Sequence, residues 1–346
     1  MRIILILIFL SYFLVTPAFC TEITPPTVPQ AGETYMPPET ESFTEGLWYV
    51  IKTATKNINP AINEAAGVCV SLIGVVLLVS LLKDFSKQSQ KTVIIVAITG
   101  IGILLLNASN SLIHLAVETV AELNDYGKLL LPVMASALAA QGGTSSSTAL
   151  YTGSSLFFTV LTSLLTKLVV PLIYIYICLS IAWGAIGDTA IKGIRDFVKW
   201  LTTWSMRIML YIYSGYMSVT KIITGSVDAS ALRAAKLTIS GMVPVVGKII
   251  SDSSETILVS TGILKNSVGI YGLLAVLSVL VGPFIKIGIQ YLLLKLTAAV
   301  CDLFGIKELS GLISDFSKAL SMALGMIGIW GMMLMISTVC FMKGFL

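Results

Sequence analysis

The chain has 346 residues, of which 56% are hydrophobic and only 12% are charged, against roughly 25% charged residues in an ordinary soluble domain. A mean hydropathy of +0.92 and long apolar runs exclude a soluble globular protein, because such runs approach the roughly 17–25 residues that span a bilayer. The net charge of +4 is spread as single lysines and arginines between apolar runs. This distribution is typical of the loops that set membrane topology, and it gives no support for nucleic-acid binding.

The N-terminus has the pattern of a secretory signal peptide. Arg2 precedes an apolar run over Ile3–Val15, and Pro17–Cys20 follows as a weak cleavage region. We therefore expect residues 1–20 to be a signal peptide. Two other interpretations stay open: an uncleaved first transmembrane helix, and lipidation at Cys20, to which the bulky preceding residue is poorly suited.

An acidic, proline-rich stretch follows over residues 21–60, with no lysine or arginine before Lys52. Low hydrophobicity, proline and one-sided charge predict disorder, and the missing positive charge favours the non-cytoplasmic side of the membrane. We expect a plain extracytoplasmic linker, with partner binding as the alternative.

Residues 61–346 are predicted to form an all-α, polytopic helical membrane domain. Ala65–Leu82 is an apolar span ending in a basic loop, which we expect on the cytoplasmic side, and Thr92–Leu106 returns across the membrane into an acidic continuation. The pattern predicts about six to eight transmembrane helices in all. The further apolar segments are 129–140, 150–165, 168–186, 204–223, 267–285, 287–304 and 319–341.

Four prolines, the only ones beyond Pro60, predict an internal duplication. Pro132 and Pro171 have the same spacing as Pro244 and Pro283, with similar apolar neighbours. A hydroxyl-rich stretch follows the first proline of each pair. Such self-similarity within one chain is the sequence signature of repeated structural units.

A four-residue tag of the form Asp-Phe-x-Lys supports the duplication. It begins at Asp196 and at Asp315, downstream of the two proline pairs, and also at Asp84 in the first basic loop. The two copies cover about 129–224 and 241–341. In membrane proteins, repeats with interrupted helices often frame the place where a solute crosses, so we expect broken or re-entrant segments around the prolines.

The polar and helix-breaking positions of the two copies are the candidate conduit or assembly site. If they lie at membrane depth, their backbone must face protein or a water-filled cavity, and a charge held there is functional by default. Exposed loops are the alternative interpretation. The candidate residues are Pro132, Gly142, Gly143, Pro171, Pro244, Gly247, Asp252, Glu255 and Pro283.

Residues 188–201 are predicted to form a basic amphipathic helix that lies on the membrane. Lys192, Arg195 and Lys199 share one face at helical spacing. A basic face of this kind binds anionic lipid headgroups. The accompanying apolar stripe consists of Ile191, Ile194, Val198 and Leu201.

No catalytic constellation is present in the sequence. The chain has a single histidine, His114, which excludes a multi-histidine metal site and makes a conventional Ser-His-Asp set improbable. The five cysteines lack metal-type spacing, and no glycine-rich loop ends in the Gly-Lys-Ser or Gly-Lys-Thr of a phosphate-binding site. We therefore expect no enzymatic activity, no metal and no cofactor.

Several short motifs lie between residues 232 and 272. They are Leu232-Arg-Ala-Ala-Lys236, Gly241-Met-Val-Pro-Val-Val-Gly247, Asp252, Glu255-Thr256 and Leu264-Lys-Asn-Ser-Val-Gly269. Together with the layout of signal, variable acidic linker and polytopic domain, these motifs resemble the stage III sporulation protein AE family of endospore-forming bacteria. The resemblance covers nearly the whole chain and is weakest in the first 60 residues.

The resemblance implies a mother-cell membrane protein, facing the forespore, within the channel or secretion-like complex that joins the two cells. It implies as partners the other proteins of the same operon, among them an ATPase and ring-forming proteins, and a forespore-side protein; membrane lipid surrounds the chain. No catalytic residues carry over. We expect a non-enzymatic, permease-like membrane subunit. An autonomous secondary transporter is the alternative, and an intramembrane enzyme is a weaker third.

Overall fold

The computed structural model describes residues 24–38, 42–85, 90–242 and 246–343, and the side chains described are those outside 83–85, 224–229 and 231–264. The predicted signal peptide and Pro244 lie outside the described residues, as do the side chains of the tag at Asp84.

Every regular element in these residues is helical, with no strand among them, which confirms the predicted all-α class. Helices suit an apolar solvent because each one satisfies its own backbone hydrogen bonds. In chain order the helices are α1 (Gln30–Glu33), α2 (Phe43–Lys56), α3 (Ile58–Phe85), α4 (Gln90–Ala140), α5 (Thr144–Leu164), a π-helical turn (Leu165–Val169), α6 (Val170–Ile186), α7 (Thr189–Met242), α8 (Val246–Asp302) and α9 (Lys307–Lys343).

Five helical stretches in the described part of the chain are long and apolar enough to cross a membrane, judged by length and composition. The last of them has 37 residues, or roughly 55 Å at 1.5 Å per residue, against an apolar bilayer core of about 30 Å. Such a helix extends beyond the apolar layer on at least one side. The five stretches are Ile58–Leu82, Gln90–Ala140, Thr144–Ile186, Lys265–Asp302 and Lys307–Lys343.

Three pairs of apolar segments that the sequence pattern separates are continuous in the structure. Segment 92–106 joins 129–140 within α4, and 267–285 joins 287–304 within α8. Segments 150–165 and 168–186 join through the π-helical turn between α5 and α6. The predicted span 204–223 lies in α7, which is not among the five candidate stretches.

Prolines do not break the helices where a break was expected. Pro132 lies inside α4 and Pro283 inside α8, and the hydroxyl-rich stretch at 251–256 is part of α8. Proline is tolerated inside a membrane helix when neighbouring helices and local adjustments satisfy the freed backbone carbonyl. The described re-entrant feature is therefore a tight hairpin after α4, not an interruption at either proline.

That hairpin turns at Gln141–Gly143, where Gly142 has a φ of 91°, a left-handed value that favours glycine. Beyond the turn, α5 and α6 run antiparallel to α4. Hydrogen bonds join the two arms along their length: Ser147 Oγ donates to the Ala135 carbonyl (2.6 Å), Thr162 Oγ1 to Asn124 Oδ1 (3.2 Å) and Tyr174 OH to Asn110 Oδ1 (2.6 Å).

Helix α9 lies at the centre of the bundle and contacts α4, α5, α6, α7 and α8. Its largest side chains, Phe316, Trp330 and Phe341, are completely buried. The Trp330 ring packs against Phe158 of α5, and its Nε1 donates to Thr162 Oγ1 at 3.2 Å. The last predicted span therefore forms the core of the fold.

The proline-rich segment before the membrane domain is folded in its described part, unlike the disordered spacer that its composition predicts. Helices α1 and α2 pack on α8. Gly32 lies against Val279, and Gly46 against Leu274. Tertiary contact with an apolar helix thus compensates for the low hydrophobicity of the segment itself.

Candidate functional site

A buried ion pair joins the start of α7 to α9. Arg195 is only 5% exposed and Asp315 only 2% exposed. Arg195 Nη1 donates to Asp315 Oδ2 at 2.5 Å, while its Nε and Nη2 donate to Asp196 Oδ1 at 3.1 and 2.8 Å. The guanidinium group thus binds two carboxylates, one deep in the bundle and one at its edge.

The second oxygen of Asp315 is also occupied. Its Oδ1 accepts hydrogen bonds from Lys318 Nζ at 2.8 Å and from the Tyr176 hydroxyl of α6 at 3.2 Å. The guanidinium carbon of Arg195 lies 4.3 Å from the centre of the Trp183 ring, within cation–π range. We call Arg195, Asp196, Asp315, Lys318 and Tyr176 the charge cluster.

The charge cluster contains two positive and two negative groups, so it is formally neutral. Burial of a charge costs several kcal/mol per ion, and only a pair with good geometry and satisfied hydrogen bonds recovers that cost. Each oxygen of Asp315 has a partner, which meets this condition. The cluster therefore joins α6, α7 and α9, and removal of Arg195 or Asp315 leaves an uncompensated charge in the core.

The members of the charge cluster are hydrogen-bonded to one another. The Tyr176 hydroxyl donates to Asp315 Oδ1, which also accepts from Lys318 Nζ. Among the described residues, no group of three or more His, Cys, Asp or Glu side chains could hold a metal ion. The cluster is suited to holding helices in register within a membrane domain.

Sequence reasoning singled out the tags but missed their pairing. Asp196 and Asp315 begin two copies of the Asp-Phe-x-Lys tag, and Arg195 binds both. The repeated tag was the available signal, because it places an aspartate and a lysine at the same spacing in both copies. Arg195 immediately precedes one tag, but this position alone does not reveal a partner on a distant helix.

The predicted amphipathic helix is present, but its faces differ from the prediction. Arg195 points into the bundle, whereas Lys192 is exposed and Lys199 is half-buried. The exposed side carries the aromatic rings of Phe197, Trp200 and Trp204, which stack at centroid distances of 5.8 and 5.6 Å. A basic residue was expected to remain in the headgroup region, but a buried carboxylate within reach draws Arg195 inward.

The predicted conduit residues whose side chains the structure describes lie apart from one another. Gly142 and Gly143 form the hairpin turn, and Pro132 is exposed on α4. Pro171 is exposed near the start of α6, while Pro283 is buried in α8. Their role in a conduit stays a prediction. Gly247, Asp252 and Glu255 belong to α8 by backbone, and their surroundings are outside the described residues.

Comparison with known proteins identifies relatives of this chain. The family model described as stage III sporulation protein AE matches residues 39–344. The stage III sporulation protein AE of Bacillus subtilis (strain 168) is 27% identical over 205 residues, covering 59% of this chain and 51% of that protein. The chain thus matches about half the length of this curated relative. No solved structure matches. Because the family model covers most of the chain and the fold is a multi-helix membrane bundle, the protein belongs to the stage III sporulation protein AE family.

Proposed function

We propose that the protein is a non-enzymatic, permease-like membrane subunit of the stage III sporulation complex that links mother cell and forespore. The observation that carries the proposal is the family match over residues 39–344 on a bundle whose helices are long and apolar enough to cross a membrane. The location proposed is the mother-cell membrane that faces the forespore.

Energy for transport must come from a partner under this proposal, because the sequence has no phosphate-binding loop. The partners proposed are the other proteins of the same operon, including an ATPase and ring-forming proteins. Long helices that extend beyond the apolar layer support this role, because they offer protein surface outside the bilayer for assembly.

Deletion of the gene in its host tests the proposal. We expect forespores that fail to maintain their size and a loss of late forespore gene expression, with both restored by the intact gene. A deletion strain that receives the gene with Tyr211→Phe, a change on the exposed side of α7, should sporulate normally and controls for expression of a variant. Normal sporulation without the gene would refute the assignment.

An autonomous secondary transporter is the second candidate. It is favoured by a repeated arrangement: α6 and α8 each contain a proline, are followed by a glycine of positive φ (Gly187, 76°, directly after α6; Gly305, 74°, in the turn after α8) and precede a tagged helix. We propose that this arrangement reflects the duplication, as in many transporters built from repeats. Solute uptake by the purified protein alone in lipid vesicles, together with normal sporulation of the deletion strain, would favour this candidate.

A further inference from the structure

Four buried polar side-chain atoms have no hydrogen-bond partner among the residues whose side chains the structure describes. They are Ser109 Oγ, Glu122 Oε2 and Tyr126 OH on α4, and Gln290 Nε2 on α8. Nearly all buried polar groups in proteins are paired with protein or with ordered water. An orphaned carboxylate oxygen inside an apolar helix bundle is especially costly, so these atoms mark places where something is bound.

Three polar residues of α4 share one side of the helix. Ser111, Glu122 and Tyr126 fall within about 60° of one another at 3.6 residues per turn, whereas Ser109 lies on the opposite side. This side faces α8: Leu130, one turn beyond Tyr126, packs against Gly272. We call this line of contact the α4–α8 seam.

A cavity of about 70 Å³ opens at one end of the seam, where α3 also contributes. Its polar lining consists of Glu64 of α3, Ser111 of α4, and Lys286 and Gln290 of α8. Lys286 Nζ lies 3.1 Å from Glu64 Oε2 across the cavity. Gln290 is 5% exposed, and its Nε2 is the orphan donor in the cavity wall.

The cavity has the size and polarity that water requires. A water molecule takes roughly 30 Å³ in the liquid and needs two to four polar partners, whereas cavities lined only by apolar groups stay dry. An ion pair, a hydroxyl and an amide supply those partners here. Water bound at Gln290 would accept from the orphan Nε2 and donate to the Glu64 carboxylate.

We propose that the α4–α8 seam binds ordered water at two places: in the cavity between Glu64, Lys286 and Gln290, and beside Glu122 and Tyr126. The ligand is water itself, because the ion pair, hydroxyl and amide that line the cavity supply the donors and acceptors that water needs. Water at Glu122 satisfies an otherwise unpaired carboxylate oxygen, and the same water accepts from the Tyr126 hydroxyl. The inference concerns the bundle alone and does not depend on the proposed sporulation role.

Three equally buried tyrosines provide a test in the native chain. Tyr126 and Tyr176 are each 1% exposed and Tyr213 is 0% exposed, but only Tyr126 lacks a protein partner, since the other two hydroxyls bond Asp315 and Ser154. Radiolytic hydroxyl-radical labelling of the full chain in lipid nanodiscs, read by mass spectrometry, reports water held next to a side chain. We expect Tyr126 to be oxidised several-fold faster than Tyr176 and Tyr213. Equal protection of all three would overturn the site at Glu122.

A second measurement addresses the cavity. In a dry cavity, Gln290→Leu removes an orphan donor and raises the unfolding temperature, because loss of an unpaired polar group is favourable. In a hydrated cavity the same change removes a hydrogen-bond partner of the bound water and places an apolar side chain against it, so the unfolding temperature falls. Leu294→Met, one turn further on and completely buried, is the packing control. A rise in unfolding temperature for Gln290→Leu would overturn the proposed water site in the cavity. The site at Glu122 is tested separately, by the labelling experiment.

Discussion

The α6–α7 and α8–α9 junctions have the same local sequence signals but occupy different environments. In each, a proline-containing helix leads into a connection with a left-handed glycine, and a helix with an Asp-Phe-x-Lys tag follows. The aspartate of the first tag, Asp196, is 53% exposed at its side chain, whereas Asp315 of the second is 2% exposed. The same short motif thus lies about two turns inside each helix, and the surrounding bundle decides whether its charge faces solvent or core.

The two junctions are also joined asymmetrically. Arg195 precedes the first tag, and its shortest ion pair is with Asp315 of the second tag. The residue that precedes the second tag, Ser314, has no charge. Helix α9 became the centre of the bundle and α7 lies at its side. Four predictions use this contrast between centre and side.

The largest effect is expected for Asp315→Ala. It leaves Arg195 and Lys318 without the carboxylate that pairs them in the core, and breaking a buried pair costs about 3–5 kcal/mol. Asp196→Ala, at the equivalent tag position, removes a half-exposed partner and should cost less than about 1 kcal/mol. Thermal unfolding of the purified variants measures the difference. Equal losses would mean that the two tags are energetically equivalent.

The next effect concerns close packing at α9. Gly331 lies directly against the Leu280 side chain, whereas Gly215 of α7 has open space around it. Gly331→Ala should destabilise by about 1–3 kcal/mol through overpacking, and Gly215→Ala should stabilise by up to about 1 kcal/mol through helix propensity. Unfolding temperatures of the two variants, compared with the parent, check the opposite signs. A stabilising Gly331→Ala would contradict the close α8–α9 contact.

A smaller effect is expected within α7 itself. The Tyr213 hydroxyl is buried 3.4 Å from Ser154 Oγ, which is 2.9 Å from Ser337 Oγ of α9. Tyr213→Phe should cost about 1 kcal/mol, the usual net contribution of one hydrogen bond. Tyr211→Phe, on the exposed side of the same helix, should leave the unfolding temperature unchanged. A double change with Ser337→Ala should add less than the sum, since both act on one network.

The smallest effect on stability, and a distinct effect on lipid contact, is expected for the exposed rings of α7. Trp200 and Trp204 face outward beside Lys192 and Lys199, an arrangement typical of the membrane interface. We propose that this side of α7 contacts lipid headgroups. Single-tryptophan variants in bilayers with brominated lipids should show stronger quenching for Trp200 than for buried Trp330. Equal quenching of Trp200 and Trp330 would contradict contact between this side of α7 and lipid.

The sequence predicted the class of the fold well and its interruptions poorly. Long apolar runs predict membrane helices because the bilayer leaves the backbone few alternatives, and the helical class is confirmed. Prolines and isolated lysines suggested breaks at Pro132, Lys167 and Pro283. In the structure these positions lie inside long helical stretches. Neighbouring helices stabilise the helical backbone at positions where an isolated helix would end.

The candidate site was only partly visible in the sequence. Repetition of the Asp-Phe-x-Lys tag drew attention to Asp196 and Asp315, but helical spacing placed Arg195 on an exposed basic face. Spacing along one helix shows which residues share a side, and it does not show which side meets a partner. Of the seam residues, Glu122 counted in the sequence only as part of the acidic continuation after 92–106. Tyr126 and Gln290 gave no signal, since single polar residues in apolar helices are common.

The sequence by itself determined that this chain is a helical membrane protein of the stage III sporulation protein AE family, since hydropathy and local motifs are properties of neighbouring residues. Only the tertiary structure decided that α9 is central, that the acidic linker packs on α8, and that Arg195 joins Asp315 across 120 positions of the chain. Those outcomes depend on contacts between residues far apart in the chain. Burial at such contacts changes the free energy of a charged group by several kcal/mol, and a local sequence pattern does not show which residues become buried.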